Sequence, residues 1–595
     1  MCGIAGYVGD RESADVLVDA LSKLEYRGYD SAGIAVFDHG NIKVKKCKGR
    51  LANLVEKMDE EGKPQGHVGI GHTRWATHGE PSDINSHPHG NKRVTIVHNG
   101  IIENYKKLKD FLIGEGYSFA SETDTEVAAK LLDYYYDGDP MKTIAKVLSE
   151  IKGSYALGIM FRDFPDEIFA VRKDSPLIVG VGEHENFIAS DVPAIIHYTR
   201  DYYLLDQNEI AVIKKDSVKI YDVHGNEIHK ELNTADWDVD AAEKGGYAHF
   251  MLKEIHEQPD SVKRTIMPRI MDDMPDFSAE GFNPDKLKSY KNIYIVACGT
   301  AMHAGMVGKY IIEKMARVSV TVDIASEFRY RDPLISEDDL MIVISQSGET
   351  ADTKAALELA KQSGADTMAI VNVKGSSIAR EADMVVYTHA GPEISVASTK
   401  AYMVQISIMY LIAFELAYAN GKMAEAECSR YTKMLEEIPE VIEEAIALES
   451  KCQFAASKLI NADSLLYIGR GLDYALSMEG SESYAAGELK HGTISLITEQ
   501  MPVIAIATQK NLEEKTISNI KEVKSRGAFV VLIAEPELDI EDGVADIVIK
   551  LPQADQLLMP MVAAVPLQLI AYYTAVLKGN DVDKPRNLAK SVTVE

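Results

Sequence analysis

The sequence predicts an α/β protein in which an α+β domain of stacked sheets comes first and two doubly wound domains with parallel sheets follow. Three observations lead to this prediction. A chain of 595 residues exceeds what one hydrophobic core usually supports. The pattern of apolar residues changes near the middle of the chain, and the second half contains an internal repeat. We therefore expect three folded domains.

The N-terminal part is rich in short β-type segments broken by Gly, Asn and His. Examples are Gly69-Ile-Gly-His-Thr-Arg-Trp and Arg93-Val-Thr-Ile-Val-His-Asn-Gly. Such segments predict stacked sheets with a few covering helices, and we assign this domain to residues 2–235. Residues 236–250 are acidic and then contain glycines, so they are predicted to be a linker.

In the C-terminal part, near-continuous apolar strands alternate with helical stretches, which is typical of parallel sheets buried on both faces. Four strand segments recur with an offset of roughly 171 residues for the first pair and roughly 162 for the others. The paired segments begin at Tyr294 and Leu465, Met341 and Val503, Gly364 and Gly527, and Ala382 and Ala545. The repeat predicts two doubly wound units at residues 285–424 and 455–585, followed by a C-terminal tail at residues 586–595.

Composition excludes several classes of function. A formal charge of −28 disfavours nucleic acid as a partner, because such binding depends on cationic contacts to phosphates. There is no apolar window of about 18 residues and no basic, apolar leader, so we expect a cytoplasmic protein without membrane contact. The five cysteines are scattered without CxxC spacing, so neither a disulfide framework nor a metal site is predicted.

The first candidate for chemistry is Cys2. If Met1 is removed, one residue carries both a nucleophilic thiol and an α-amine, and an amine of pKa about 8 accepts a proton at neutral pH. A cysteine at the second position is by itself more often accidental. Its interpretation therefore depends on the segments that follow.

Four later segments supply groups that amide hydrolysis needs. They are Arg27-Gly-Tyr-Asp-Ser, Gly71-His-Thr-Arg-Trp-Ala-Thr-His-Gly, His98-Asn-Gly-Ile-Ile-Glu-Asn and Ser121-Glu-Thr-Asp-Thr-Glu. Asn99 and the peptide N–H of Gly100 are suitable donors for an oxyanion. Arg74 and Asp124 match the carboxylate and the ammonium group of glutamine. Each segment alone is also typical of an ordinary turn or helix cap.

Together and in this order, the segments resemble the glutaminase domain of the class II amidotransferases, which has an N-terminal-nucleophile fold. The resemblance implies that Cys2 is the nucleophile and that Asn99 and Gly100 form the oxyanion hole. It also implies that glutamine is held by Arg74, Thr77, His78 and Asp124, and that Trp75 gates the route of ammonia.

The second candidate is the serine-rich turn Ser345-Gln-Ser-Gly-Glu-Thr, between an apolar strand and a helix. Free N–H groups at a helix start, with hydroxyl donors beside them, favour phosphate at this end of a parallel sheet. A merely well-capped helix is the alternative. Together with Ala297-Cys-Gly-Thr and Val396-Ala-Ser-Thr-Lys, the turn resembles the sugar isomerase (SIS) domain family.

A class II glutaminase domain followed by two SIS units resembles, over the whole chain, the family of glutamine–fructose-6-phosphate aminotransferases. Further matches are Tyr484-Ala-Ala-Gly-Glu-Leu-Lys-His-Gly and the C-terminal Asp583-Lys-Pro-Arg-Asn-Leu-Ala-Lys-Ser-Val-Thr-Val-Glu. The resemblance implies glutamine and fructose 6-phosphate as substrates, glucosamine 6-phosphate and glutamate as products, no cofactor, and a homodimer.

The same resemblance assigns roles in the C-terminal half. Phosphate would be bound by Thr300, Ser345, Gln346, Ser347 and Thr350, with Val396 and Ser398 near the sugar. His491 would open the sugar ring, and Lys590 would contact the carbonyl end of the sugar.

The sequence departs from the family pattern after Gly480. About eleven residues are missing there, including a Lys-x-Lys-Glu run to which the family assigns the carboxylate that moves a proton between sugar carbons 1 and 2 and a nearby lysine. Glu482 and Glu488 are the available replacements, and geometry decides such roles. A smaller departure is Ala301, where the family often has serine after the threonine.

Three functional hypotheses remain open from the sequence. The first is the aminotransferase. The second is a glutaminase, or a regulator that binds sugar phosphate, with an impaired isomerase half. The third is a class II amidotransferase of another pathway, which would need a Gly-rich nucleotide loop that does not appear in the sequence.

Overall fold

The computed structural model describes residues 2–91, 93–235, 243–480, 483–586, 588–590 and 592. Positions 236–242 of the predicted linker, Met1, Glu482 and most of the last five positions of the predicted tail lie outside these residues. The chain divides into two compact units, one of residues 1–242 with 589–595 and one of residues 243–588.

The N-terminal unit contains two antiparallel sheets. Its strands are β1 (Gly3–Val8), β2 (Ser31–Asp38), β3 (Asn41–Lys48), β4 (Val68–Arg74), β5 (His89–Gly90), β6 (Val94–Ile102), β7 (Gly153–Phe161), β8 (Ile168–Lys173), β9 (Ile178–Val181), β10 (Asn186–Ala189), β11 (Asp201–Leu204), β12 (Ile210–Lys214), β13 (Ser217–Tyr221), β14 (Glu227–Ile228) and β15 (Asn233–Thr234). The eight-stranded sheet has the order β15-β11-β9-β10-β1-β4-β2-β3, and the seven-stranded sheet has the order β14-β13-β12-β8-β7-β6-β5.

The two sheets stack face to face. One buried cluster joins Ile4 and Ile70 of the first sheet to Val97 and Met160 of the second. Five helices cover the outer faces: α1 (Ser13–Ser22), α2 (Leu51–Glu61), α3 (Tyr105–Gly114), α4 (Asp124–Tyr135) and α5 (Pro140–Glu150). The first two pack on the eight-stranded sheet and the other three on the seven-stranded sheet. This arrangement confirms the predicted stacked-sheet α+β domain.

The C-terminal unit begins with helices and a short hairpin and then contains the two repeats. The helices are α6 (Phe250–His256), α7 (Gln258–Ile266) and α8 (Pro284–Leu287), and the hairpin strands are β16 (Ile270–Met271) and β17 (Met274–Pro275). The first repeat contains β18 (Asn292–Ala297), α9 (Thr300–Met315), β19 (Ser319–Ile324), α10 (Ala325–Phe328), β20 (Asp339–Ser345), α11 (Ala351–Gln362), β21 (Asp366–Val371), α12 (Ser377–Glu381), β22 (Met384–Tyr387) and α13 (Lys400–Ala419).

The second repeat follows two further helices, α14 (Glu425–Ile446) and α15 (Glu449–Leu459). It contains β23 (Leu466–Gly469), α16 (Leu472–Ser477), β24 (Ser483–Ala485), β25 (Val503–Ala507), α17 (Glu513–Lys524), β26 (Val530–Ala534), β27 (Ile547–Lys550) and α18 (Met559–Leu577).

The sheets of the two repeats have the same topology. Their orders are β19-β18-β20-β21-β22 and β24-β23-β25-β26-β27, and neighbouring strands are parallel in both. The sequence repeat predicted four of the strands in each sheet, and the structure adds the edge strands β19 and β24. The two doubly wound domains are therefore confirmed.

Helices α13 and α18 are long and apolar enough to cross a membrane by composition alone. Within the protein, 94% and 67% of their most apolar windows are buried. Both belong to one large hydrophobic core that continues from the first repeat into the second. An apolar helix that is covered on most sides is typical of the core of a large soluble domain.

Candidate active site

Cys2 lies where the first strand meets the end of β4. Strand β1 pairs with β4 so that Gly3 is opposite Thr73, which brings Trp75 beside the cysteine. The peptide N–H of Trp75 donates to the Cys2 Sγ at 3.2 Å. Burial raises the pKa of the Cys2 thiol, while this hydrogen bond and the charge of Arg74 act against the rise. The thiol therefore needs a proton acceptor before it can act as a nucleophile at neutral pH.

The side chain of Asn99 is oriented towards Cys2. Its Nδ2 donates to the Cys2 carbonyl oxygen at 2.9 Å, and its Oδ1 lies 3.0 Å from His72 Nε2. Because His72 Nε2 also lies 3.0 Å from the His98 carbonyl oxygen, this nitrogen faces two acceptors and must carry the proton. The amide of Asn99 is thus fixed with its donor group on the backbone carbonyl oxygen of Cys2.

Gly100 allows the close approach of β6 to β7. Its φ is +124°, and a Cβ at this position would lie 2.1 Å from the carbonyl oxygen of Ser154. No other residue type fits without a shift of the strand pair. The sequence prediction for Gly100 concerned its N–H group, and the structure adds this steric reason for a glycine.

Arg74 offers a buried donor to a substrate. Its Nη2 donates to the carbonyl oxygens of His78 and Gly79, and the residue is only 3% exposed. Its Nη1 is buried without a hydrogen-bond partner among the described residues. A buried guanidinium nitrogen left unpaired is unfavourable, and a carboxylate would satisfy it.

The other predicted glutamine ligands lie around this point at different depths. Asp124 is the buried first residue of α4, and its Oδ2 accepts the Ile102 N–H at 2.8 Å. The ring of His78 packs edge-on against Tyr105, with 5.2 Å between centroids. Thr77 is exposed in the loop after β4. The structure therefore gathers Cys2, Arg74, Trp75, Asn99, Gly100, His78 and Asp124 at one end of the stacked sheets.

Four buried histidines form a polar layer behind these residues, and sequence reasoning did not single them out. The rings of His72 and His87 stack with 4.0 Å between centroids, and His89 lies edge-on to His87 at 5.0 Å. His98 Nδ1 lies 2.9 Å from the Thr125 hydroxyl oxygen. Burial lowers the pKa of all four, to about 3 for His72 and His89, so the layer is neutral at physiological pH. For His72, the alternation of side chains along β4 could have indicated the position, because it puts His72 on the same face as Arg74.

In the C-terminal unit, the serine-rich turn joins β20 to α11 as predicted. The Ser345 Oγ accepts the Gly348 N–H at 3.1 Å and lies 2.9 Å from the Thr350 hydroxyl. The Ser347 Oγ accepts the Glu349 N–H at 3.2 Å. The hydroxyl groups are thereby gathered at the start of α11, where free N–H groups favour an anion.

Thr300 has a partner that the sequence did not predict. It is the first residue of α9, and its hydroxyl donates to the carboxylate of Glu479 at 2.9 Å. The other oxygen of this carboxylate lies 2.7 Å from His303 Nδ1. Glu479 comes from the second repeat, so a phosphate that binds Thr300 must displace or share this hydroxyl.

The remaining predicted sugar-site residues have backbone or side-chain partners nearby. The Gln346 carbonyl oxygen accepts the Asn372 N–H at 3.1 Å, the Val396 N–H donates to the Asp583 carbonyl at 2.9 Å, and the Ser398 hydroxyl donates to Glu393 at 3.1 Å. His491 is exposed at the end of a short 3₁₀ turn. Lys590 is half-buried and groups with the N-terminal unit.

The crossover helix before the predicted gap at Gly480 is short, and the sheet is intact. The crossover helix α9 of the first repeat has 16 residues, whereas its counterpart α16 has 6. Strand β24 still pairs in parallel with β23, as β19 does with β18. Of the two replacement bases, Glu488 is exposed, and Glu482 lies outside the described residues.

Comparison with known proteins agrees with this architecture. A model of the glutamine amidotransferase domain matches residues 72–197, and a model of the SIS domain matches residues 286–414 and 458–578. A solved structure, the C-terminal domain of glucosamine-fructose-6-phosphate aminotransferase from Francisella tularensis, is 36% identical with a TM-score of 0.55. The match covers 58% of this chain and all of that structure.

Two curated relatives match along their whole length. Both are named glutamine–fructose-6-phosphate aminotransferase [isomerizing]. The protein from Caldanaerobacter subterraneus subsp. tengcongensis is 56% identical over 611 residues, and the protein from Clostridium tetani is 53% identical over 610, with all of each chain covered. Because these alignments are longer than the 595 residues of this chain, each relative has residues for which this chain has no counterpart. The chain belongs to the family of isomerizing glutamine–fructose-6-phosphate aminotransferases.

Proposed function

We propose that this chain transfers the amide nitrogen of glutamine to fructose 6-phosphate and releases glutamate and glucosamine 6-phosphate. The observation that carries the proposal is the orientation of the Asn99 amide, whose Nδ2 is directed at Cys2 while His72 holds its Oδ1. Full-length identity of 56% to a named aminotransferase supports the whole reaction.

In the glutaminase half, we propose that Met1 is removed and that the freed α-amine of Cys2 takes the thiol proton. The thiolate attacks the side-chain amide of glutamine, and the oxyanion is stabilised by Asn99 Nδ2 and the Gly100 N–H. The α-ammonium group returns the proton to the amide nitrogen, the C–N bond breaks, and ammonia leaves. Water then hydrolyses the thioester, which releases glutamate and restores the Cys2 thiol. Arg74, Thr77, His78 and Asp124 hold the substrate, and Trp75 controls the exit of ammonia.

In the synthase half, Thr300 and the hydroxyl-rich turn hold the phosphate through Ser345, Gln346, Ser347 and Thr350. Val396 and Ser398 border the sugar, His491 opens its ring, and Lys590 contacts its carbonyl end. The reaction also needs a base between carbons 1 and 2, for which Glu488 is one candidate.

The wider setting is part of the same proposal. The chain acts in the cytoplasm as a homodimer, without a metal or an organic cofactor. Its domains are residues 2–235, 285–424 and 455–585, with a linker at residues 236–250 and a tail at residues 586–595 that contributes to the sugar site.

A second candidate function is an impaired synthase half, and the observation that favours it is the length of α16, which has only 6 residues. In that case the chain would be a glutaminase, or a regulator that binds sugar phosphate. The names of the full-length relatives favour the synthase.

A paired assay distinguishes these functions. Glutamate and glucosamine 6-phosphate are measured in one reaction with glutamine and fructose 6-phosphate, with the Cys2→Ala variant as a control that should form neither. Equal amounts of both products support the synthase. Glutamate alone supports the glutaminase, and the absence of both products supports the regulator.

A further inference from the structure

The two SIS repeats can be compared residue by residue through their strand register. Gly299 and Gly471 end the turn after the first strand of each repeat with nearly identical backbones, at φ +55° and ψ −134° and at φ +59° and ψ −123°. Counting from these glycines, Ala301 of the first repeat corresponds to Asp473 of the second. Both are the second residue of their helix.

The same register relates the loops that follow the next strand. Tyr294 is opposite Met341 in the first sheet, and Leu466 is opposite Val503 in the second. The hydroxyl-rich turn of the first repeat therefore corresponds to residues 507–512 of the second. In this correspondence, Ser345 is matched by Ala507, Gln346 by Thr508, Ser347 by Gln509, Gly348 by Lys510 and Thr350 by Leu512.

In the second repeat, this loop is already occupied by a carboxylate. Asp473 accepts the Thr508 N–H at 2.8 Å through one oxygen and the Thr508 hydroxyl through the other. Both residues are buried, with Asp473 only 1% exposed. Burial raises the pKa of Asp473 to about 6, although hydrogen bonds from Thr508 and the backbone of Gln509 oppose the rise.

The first repeat has a methyl group at the corresponding helix position, because the residue there is Ala301. Its hydroxyl-rich turn is therefore not filled from this side. A phosphate and a carboxylate satisfy the same kind of donor set, namely peptide N–H groups and a hydroxyl. In the first repeat a carboxylate of the chain, that of Glu479, accepts from Thr300, whereas in the second repeat the carboxylate of Asp473 accepts from the loop itself. The two repeats thus differ in which part of the anion site is already paired within the chain.

We propose that the Asp473 carboxylate takes the place of a phosphate in the second repeat and thereby closes that loop to external anions. The specificity of the first repeat then depends on the absence of a carboxylate at Ala301. The inference about Ala301 rests on the proposed function, whereas the role of Asp473 within the second repeat does not.

The first experiment transfers the carboxylate to the first repeat. Ala301→Asp is expected to raise the KM for fructose 6-phosphate by 100-fold or more, whereas the isosteric Ala301→Asn should change it less than tenfold. Glutamine hydrolysis in the absence of sugar should be unchanged in both variants. Equal KM values in the two variants would overturn the proposal.

The second experiment needs no catalytic activity. Asp473→Ala is expected to lower the melting temperature, and inorganic phosphate should restore it with saturation, whereas chloride at the same ionic strength should not. Phosphate binding measured by equilibrium dialysis should be higher by one per chain in this variant than in the wild type. A binding number unchanged from the wild type, or a rescue by chloride equal to that by phosphate, would refute the role of Asp473.

The two experiments separate the possible failures. If the wild type makes no glucosamine 6-phosphate, the proposed function fails, and the phosphate dialysis still tests Asp473. If Asp473→Ala does not fold, Asp473→Asn takes its place, since the amide keeps the volume and loses the charge. Its expected result is a lowered melting temperature with weaker rescue by phosphate, and a melting temperature equal to that of the wild type would contradict the proposal.

Discussion

Lowering the pH from about 7.5 to 5.0 is expected to destabilise the N-terminal unit through its buried histidines. Burial lowers the pKa of His72 and His89 to about 3, whereas a histidine in an unfolded chain titrates near 6.5. Between these values the unfolded chain binds protons that the folded unit does not bind. The stabilising effect is therefore complete above about pH 6.5 and is lost as the pH falls towards 3.

The magnitude follows from the difference between the two pKa values. Each of these histidines should lower the free energy of unfolding by about 2 kcal/mol between pH 7.5 and 5.0. The two together amount to about 4 kcal/mol, a large part of the roughly 5–15 kcal/mol that is usual for a domain. His87 and His98 act in the same direction, because burial also lowers their pKa. Most carboxyl groups titrate below this range of pH.

Urea unfolding followed by tryptophan fluorescence measures this effect, because Trp75 and Trp237 both lie in the first 242 residues. His89→Gln keeps a partner for the Thr123 hydroxyl, which lies 3.2 Å from His89 Nε2, and should recover about 2 kcal/mol of the loss. His224→Gln, at an exposed histidine, is the matched control. The reasoning is refuted if His89→Gln loses as much stability on acidification as the wild type does.

Three further predictions concern the two sites. His72→Phe removes the donor to Asn99 Oδ1 and should lower the kcat of glutamine hydrolysis by about 10- to 100-fold with little change in KM, because a buried acceptor left unpaired costs about 1–3 kcal/mol. A kcat equal to that of the wild type would contradict this. Gly100→Ala places a Cβ 2.1 Å from the Ser154 carbonyl oxygen, so both the melting temperature of the N-terminal unit and glutamine hydrolysis should fall; an unchanged melting curve would show that the strands can shift freely. Ser345→Ala should raise the KM for fructose 6-phosphate about tenfold, because it loses one hydrogen bond to a charged group, while glutaminase activity in the absence of sugar stays the same. An unchanged KM would show that this hydroxyl does not bind the phosphate.

The architecture of the C-terminal half could be predicted because its central strands are buried on both faces. Residues 341–344 and 503–507 are all apolar and lie within β20 and β25. The edge strands were not predicted for a physical reason. Strand β19 alternates polar and apolar residues, as a strand with one neighbour does, and β24 has only three residues.

The candidate sites were only partly accessible from sequence. Residues within short motifs, such as Arg74 or Ser345, could be chosen because each motif brings its own donors together. The pairs His72 with Asn99 and Asp473 with Thr508 join residues 27 and 35 positions apart. The first contact depends on how the two sheets stack, and the second on the pairing of β23 with β25. A single sequence reveals neither.

The short helix α16 leaves very little chain between two neighbouring parallel strands. Residues 470–482 alone connect the end of β23 to the start of β24, and a parallel crossover needs about a dozen residues. Tolerance to length change at this point should therefore be one-sided. Added residues can extend the helix into solvent or along the sheet, whereas a deletion of a few more would pull β24 away from the sheet and expose the backbone edge of β23 to pairing with another chain.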